Sequence, residues 1–169
     1  MEIRRAEERD LTRILQIYAR ARQYMADTGN PTQWAGGYPP GELVRQDIRE
    51  GALQVLEEGG NVEAVFAYFE GEDPTYGVIE DGCWPNHRPY GTIHRVASSG
   101  RVRHAAARCF DWCFAQCQNL RADTHEDNRV MQHVLEQAGF QRCGVIHVAD
   151  GTRRIAYQKE AAEPPGAAG

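Results

Sequence analysis

The sequence predicts a mixed α/β sheet covered by helices rather than a regular doubly wound sheet. Three observations carry that reading. Two pairs of apolar runs follow one another across short turns, at residues 52–69 and 143–158. Segments of helical period are interspersed among the strands. Residues 91–117 read as a strand, then a short polar loop with a basic cluster, then an amphipathic helix.

Taken in order, residues 2–5 form a short first strand. Leu11, Ile14, Leu15, Tyr18 and Ala21 mark one face of a helix, with Asp10 near its start. The loop at 28–40 holds Trp34 and Tyr38 among glycines and prolines. Leu43, Val44 and Ile48 mark a second helix that ends at Gly51. Residues 52–56 and 62–69 are strands around the turn Glu57-Glu58-Gly59-Gly60-Asn61, a hairpin. Residues 71–89 form an irregular stretch with several Gly, Pro and Asp, and loops of that length in compact domains are often functional.

Residues 92–97 are a strand, with β-branched Thr92, Ile93 and Val96. Strand alternation puts Thr92, His94 and Val96 on one face, and Ile93 and Arg95 on the other. Ala106, Cys109, Phe110, Cys113, Phe114 and Cys117 then recur at helical spacing. Residues 120–124 are a strand and 127–138 a helix, with Gly139 where a left-handed helix terminus wants glycine. Asp127 reads as the N-cap of that helix, and Glu126 complements its dipole. Residues 143–148 and 154–158 are two strands around the turn Ala149-Asp150-Gly151-Thr152. Residues 1–159 are expected to form one domain, and the tail 160–169, EAAEPPGAAG, to be disordered.

The chain of 169 residues carries 19 basic and 24 acidic side chains, a net charge of −5. An acidic chain without a basic run argues against nucleic acid and against a membrane surface as partner. Met-Glu-Ile-Arg-Arg is charged where a signal peptide needs an apolar core, so a cytoplasmic location is expected. The five cysteines read as reduced thiols, with Cys109, Cys113 and Cys117 as core packing and Cys83 and Cys143 isolated. Chelating C-x-x-C turns and histidines at ligand spacing are absent from the sequence, so no metal is expected. Phosphate-loop, dinucleotide-turn, zinc-helix and nucleophile-elbow motifs are likewise missing.

Between the strand and helix of 91–117 lie Ser98, Ser99, Gly100, Arg101, Arg103 and His104. A loop ending at a helix start offers unpaired backbone N–H groups and the positive end of the helix dipole. Two arginines beside it make a phosphate or pyrophosphate site; the alternative is a solvated crossover loop.

The order of elements and two motifs resemble the GCN5-related N-acetyltransferase (GNAT) family, over nearly everything from residue 3 to residue 159. The first motif is the loop Arg101-Val102-Arg103-His104-Ala105-Ala106, in which Arg101 and Ala106 fit the family pattern and His104 replaces a glycine. The second is Asn128 followed eleven and twelve residues later by Gly139 and Phe140. The resemblance implies a mostly antiparallel α+β sheet of about seven strands with about four helices. It implies acetyl-CoA or coenzyme A as co-substrate. Val96, Ala97 and Ser98 would pair with the pantetheine arm, Arg101 to Ala106 would hold the pyrophosphate, and Asn128 would orient the arm. It also places part of an acceptor pocket in the loop at 28–40.

For the chemistry, a backbone N–H near Val96 can serve the oxyanion, and His94 can relay the proton of the amine. His94 can equally be a hydrogen-bonded structural histidine. His125, in the cluster Asp123-Thr124-His125-Glu126-Asp127, is a second candidate base. Many family members carry a tyrosine general acid seven residues after the motif asparagine; Leu135 stands there, which leaves Tyr90 or an unaided thiolate departure. Trp34 and Tyr38 can form an aromatic wall for an amine or pack down their loop, and Trp84 and Tyr76 carry the same ambiguity. The expected activity is N-acyl transfer to a small-molecule amine or amino acid in a ternary complex, by a monomer or homodimer. The alternatives are a non-catalytic acyl-CoA-binding or regulatory module, and an α/β protein with another anion ligand.

Overall fold

In the computed structural model, which describes residues 1–162, the chain passes through β1 (Glu2–Arg5), α1 (Leu11–Asp27), α2 (Gly41–Arg49), β2 (Leu53–Glu58), β3 (Asn61–Glu70) and β4 (Gly91–Ser98). It continues through α3 (Ala105–Gln116), β5 (Asn119–Thr124), α4 (Arg129–Gln137), β6 (Gln141–His147) and β7 (Arg153–Glu160). The seven strands form one sheet in the order β1-β2-β3-β4-β5-β7-β6. Every neighbouring pair is antiparallel except β4 and β5, as the predicted fold class requires.

Helices cover both faces of the sheet, so the central strands are apolar without alternation. In β3, Ala64 and Phe66 face Cys109, Phe110 and Cys113 of α3 and Leu135 of α4, whereas Val65 and Ala67 face Ile14, Ile17 and Tyr18 of α1 and Val44 of α2. The stretch before β4 makes a third apolar cluster, with Tyr76, Trp84 and Tyr90 packed on Ile146 and Ala156. There Arg121 lies 4.1 Å from the Trp84 ring centre and 4.0 Å from that of Tyr90. Trp84 and Tyr76 are therefore packing residues.

Several expectations need correction. Asn128, not Asp127, caps α4: its Oδ1 accepts from Met131 N at 3.0 Å, while the Asp127 backbone N–H turns back to His125. Cys117 has left α3 and sits in extended backbone at its C-terminus. The first hairpin turns on Gly59 and Gly60 alone, because β2 and β3 run on to Glu58 and Asn61. β7 extends to Glu160, paired with Asn119, so the strand enters the stretch assigned to the tail; 163–169 lie outside the described residues. Gly139 does close α4 at φ +93°, with Phe140 N donating to Leu135 O and Gly139 N to Glu136 O. All five cysteines are free, and Cys109 and Cys113 are buried. No helix among the described residues is long and apolar enough to cross a membrane.

Candidate active site

The site begins with an interruption of the sheet. β4 and β5 pair only at Gly91 with Leu120 and at Thr92 with Arg121, and then separate. Immediately beyond that ladder, β4 bulges: Ala67 pairs with His94 and Val65 with Ala97, leaving Arg95 and Val96 opposite one residue. Arg95 takes the left-handed conformation at φ +53°. It is held there by Asp47 of α2, which accepts from Nη2 at 2.7 Å, and by the Tyr18 hydroxyl, which donates to its carbonyl at 3.1 Å.

The bulge overturns the expected alternation. Ile93 and Val96 both pack into the α3 side of the sheet, Ala97 packs on the α1 side, and Arg95 reaches α2. Val96 thus does not share a face with Thr92 and His94. The extra residue of the bulge shifts the strand period by one, which a strict two-residue reading cannot register.

The parted strands open on a cavity of about 540 Å³, lined by Ile93 to Val96 of β4, Ala122 to Thr124 of β5, and residues of the 28–40 loop, α3, α4 and the β6–β7 turn. On its floor His94, with a side chain 25 % exposed, donates from Nε2 to Asp73 Oδ2 at 2.9 Å. Asp73 also accepts from the backbone N and the hydroxyl of Thr75, at 2.9 and 2.7 Å. Burial works to raise the Asp73 carboxyl, but the hydrogen bonds from His94 and Thr75 outweigh it and bring it to about 2. A carboxylate so held only accepts, so the ring hydrogen sits on Nε2. Nδ1 is left as the basic nitrogen, 3.9 Å from Asp123 Oδ2. That same Oδ2 accepts from the Tyr76 hydroxyl at 2.7 Å. Burial drives Tyr76 well above its ordinary value and keeps it a donor.

The other candidates divide. Trp34 and Tyr38 line the cavity and also pack, Trp34 against Tyr18 at 5.6 Å and Tyr38 at 6.2 Å, so wall and packing are one arrangement. His125 does not line the cavity; its Nδ1 accepts from Asp127 N at 3.0 Å and its Nε2 lies 3.4 Å from the Thr32 hydroxyl. Tyr90 also stands outside, where its hydroxyl accepts from Asp73 N at 2.7 Å and steadies the residue that holds His94. Leu135 is fully buried at the cavity's edge and brings no hydroxyl.

Val96 and Asn128 line the cavity, whereas Ala97, Ser98 and the loop from Arg101 to Ala106 lie beyond its boundary. Arg101, Arg103 and His104 are exposed, Val102 and Ala106 half-buried, and Ala105 is buried at the start of α3. His104 holds φ +57°, the left-handed conformation natural to a glycine. Its backbone therefore does what the motif glycine would, and its side chain faces outward. Arg20 of α1 joins this loop, donating to Ser98 O at 3.1 Å. A cation in the middle of a helix gave no signal in the sequence.

Three further residues escaped the sequence reading. Asp73 lies in an irregular stretch, and Asp123 is one acid in a cluster of which Glu126 and Asp127 read as helix-terminus residues. Gln33 joins three elements: its Oε1 accepts from Asn30 Nδ2 at 2.8 Å and Asn128 Nδ2 at 3.0 Å, and lies 3.5 Å from the Thr124 hydroxyl. Only a polar residue in a loop marked it.

No protein-family model and no curated protein sequence matches the chain. Solved structures do. An acetyltransferase of the GNAT family from Streptococcus agalactiae is 33% identical, with a TM-score of 0.88 over 96% of each chain. A GNAT-family acetyltransferase from Listeria monocytogenes shares the fold at 19% identity and a TM-score of 0.68, over 95% of this chain and 94% of its own. A Salmonella typhimurium protein whose structure includes its cofactor acetyl-CoA shares it at 15% identity and a TM-score of 0.59, over 97% of this chain and 95% of its own. With parted central strands, a loop entering α3, an asparagine-capped α4 and a relative this similar along its length, the chain belongs to the GNAT family of acetyltransferases.

Proposed function

We propose that the protein is an acetyl-CoA-dependent N-acyltransferase acting on the amine of a small molecule or amino acid, with donor and acceptor bound together. One observation carries the reading: the gap between β4 and β5 opens on a cavity that holds a histidine oriented by a half-buried carboxylate. The residues present fit coenzyme A. Beyond Thr92 the edge of β4 has no ladder partner on β5, which leaves main chain near Val96, Ala97 and Ser98 for an extended arm. The loop at Arg101 to Ala106 adds Arg101, Arg103 and the amides at the start of α3, which suit a pyrophosphate. Asn128, fixed by Met131 N and Gln33, shapes the cavity between them.

Bound acetyl-CoA supplies a thioester carbonyl to the cavity. In this reading His94 accepts the proton the amine sheds as its nitrogen bonds the carbonyl carbon and the C–S bond breaks. Asp73 holds the ring in the tautomer that presents Nδ1 and stabilises the imidazolium that forms. Leu135 and the position of Tyr90 leave the departing thiolate without a tyrosine acid from either residue.

Two measurements test this. Acetyl-CoA at about a hundred times its Kd stabilises the fold by about 2.7 kcal/mol, read as a rise in Tm. Thiol release from acetyl-CoA across an amine panel then follows, and His94→Ala lowers kcat by about 10²- to 10⁴-fold with an altered pH profile and an unchanged KM for acetyl-CoA. Absence of stabilisation overturns the reading. Stabilisation without thiol release supports instead an acyl-CoA-binding module, the alternative that Leu135 favours. A His94→Ala enzyme with the wild-type pH profile removes His94 as the base.

A further inference from the structure

The acceptor half of the cavity carries charges of both signs, and most of them are already matched. Asp73 already accepts three hydrogen bonds, from the backbone and hydroxyl of Thr75 and from His94. Arg95 has its charge paired with Asp47 at 2.7 Å, although its buried Nε makes no hydrogen bond among the described residues. Asp150, at the rim, accepts from Thr152 N at 2.9 Å. Two charges remain. Asp123, with a side chain 9 % exposed, uses Oδ2 for the Tyr76 hydroxyl; its Oδ1 has only Arg154 near it. Arg154, with a side chain 10 % exposed, reaches that oxygen with Nε at 3.9 Å, and its buried Nη1 has no hydrogen-bond partner among the described residues.

A separation of 3.9 Å is a charge contact beyond hydrogen-bond reach, so neither group has its hydrogen-bonding capacity filled by the other. Enclosing polar groups in that condition costs free energy unless something completes them. The backbone holds the arrangement firmly. Asp123 of β5 pairs with Ala156 of β7, which makes Arg154 its diagonal neighbour on the same face of the sheet. The two charges are therefore presented side by side, on rigid strands, to the same cavity.

Resting on the acyl-transfer reading above, we propose that this pair selects an α-amino acid as acceptor, with Asp123 taking the amine and Arg154 the carboxylate. Opposite charges held side by side complement a ligand whose own opposite charges sit on one carbon. A simple monoamine leaves Arg154 unmatched, a diamine brings a second cation toward it, and a peptide N-terminus offers it a neutral amide. The placement also serves the chemistry. An amine on Asp123 stands beside His94, whose Nδ1 is 3.9 Å from the same carboxylate. Trp34, Tyr38 and Val148 are left as wall for the side chain of the amino acid.

The test compares acetylation of L-amino acids with that of their primary amides and their decarboxylated amines, at saturating acetyl-CoA. The free carboxylate is expected to raise kcat/KM by roughly 10- to 100-fold over both analogues, the span of a charge-assisted hydrogen bond. Arg154→Gln should erase that preference and leave stabilisation by acetyl-CoA unchanged. If wild-type enzyme acetylates amides or decarboxylated amines as well as the acids, the amino-acid assignment fails while acyl transfer stands. If it acetylates no amine of any kind, acyl transfer itself falls and takes the assignment with it. The wild-type comparison decides even if the variant does not fold.

Discussion

Asp73 links a hydrogen-bond network to a titration that can be followed. Its carboxyl is lowered from an ordinary 3.8 to about 2 by bonds that exist only in the folded chain. A group depressed in this way adds stability that is present above its unfolded value and is lost as pH falls through the folded one. Asp73→Asn is therefore expected to be less stable than wild type near neutrality. The gap should begin to close below about pH 4 and be gone near pH 2, as read by urea denaturation across that range. The same variant can still accept from Thr75 but no longer carries the charge that stabilises the imidazolium of His94, so kcat should fall while the KM for acetyl-CoA stays. A stability difference independent of pH would show that the carboxylate charge at position 73 is not what the fold uses.

At the scale of an element, the shape of the site depends on two non-glycine residues in left-handed backbone. Arg95 forms the bulge that turns β4 away from β5, and His104 forms the entry to α3. Such a conformation costs about 1–2 kcal/mol for a side-chain-bearing residue. For Arg95 the ion pair with Asp47 offsets it, and Asp47→Ala would leave a guanidinium buried without its counterion. That change is expected to destabilise by about 3–5 kcal/mol. His104 has no ion pair among the described residues, and its side chain is exposed. His104→Gly should raise stability by about 0.5–1 kcal/mol, because glycine adopts this conformation freely but loses more entropy on folding. Acetyl-CoA affinity should not fall. Both changes are measured by urea denaturation, and a destabilised His104→Gly would mean that the imidazole makes contacts worth more than the strain.

For the whole molecule, the two-sided sheet separates the five thiols by reactivity. Cys109 and Cys113 lie between α3 and the sheet, where burial pushes the Cys109 thiol up to about 12 and Cys113 higher still. Cys83 is exposed on the stretch before β4. A thiol reagent at neutral pH should label Cys83 first, leave Cys109 and Cys113 untouched in the native protein, and reach all five on unfolding, as counted by mass spectrometry. Labelling of Cys109 in the folded state would mean that α3 opens readily from the sheet.

The strands and helices were legible in the sequence because each is specified locally. The period of apolar residues marks α1 and α4, Gly59-Gly60 marks a hairpin, and Gly139 marks a helix end. The loop at Arg101 to Ala106 and the helix that Asn128 caps were legible for the same reason, since each follows from a strand, a turn and a helix in sequence. His94, Trp34 and Tyr38 were named one by one, but the charged cluster around the histidine was not legible. His94, Asp73, Asp123 and Arg154 come from β4, a long loop, β5 and β7, and no spacing relates them. Asp123 and Arg154 meet through the β5–β7 ladder, and His94 meets Asp73 from the long loop that precedes β4. Hydrophobic period and turn chemistry thus marked the elements of a mixed α/β sheet, and two motifs marked the resemblance to the family. The tertiary structure alone decided which carboxylate orients the histidine and which charges face the cavity, because charges meet through space and sequence distance does not record that.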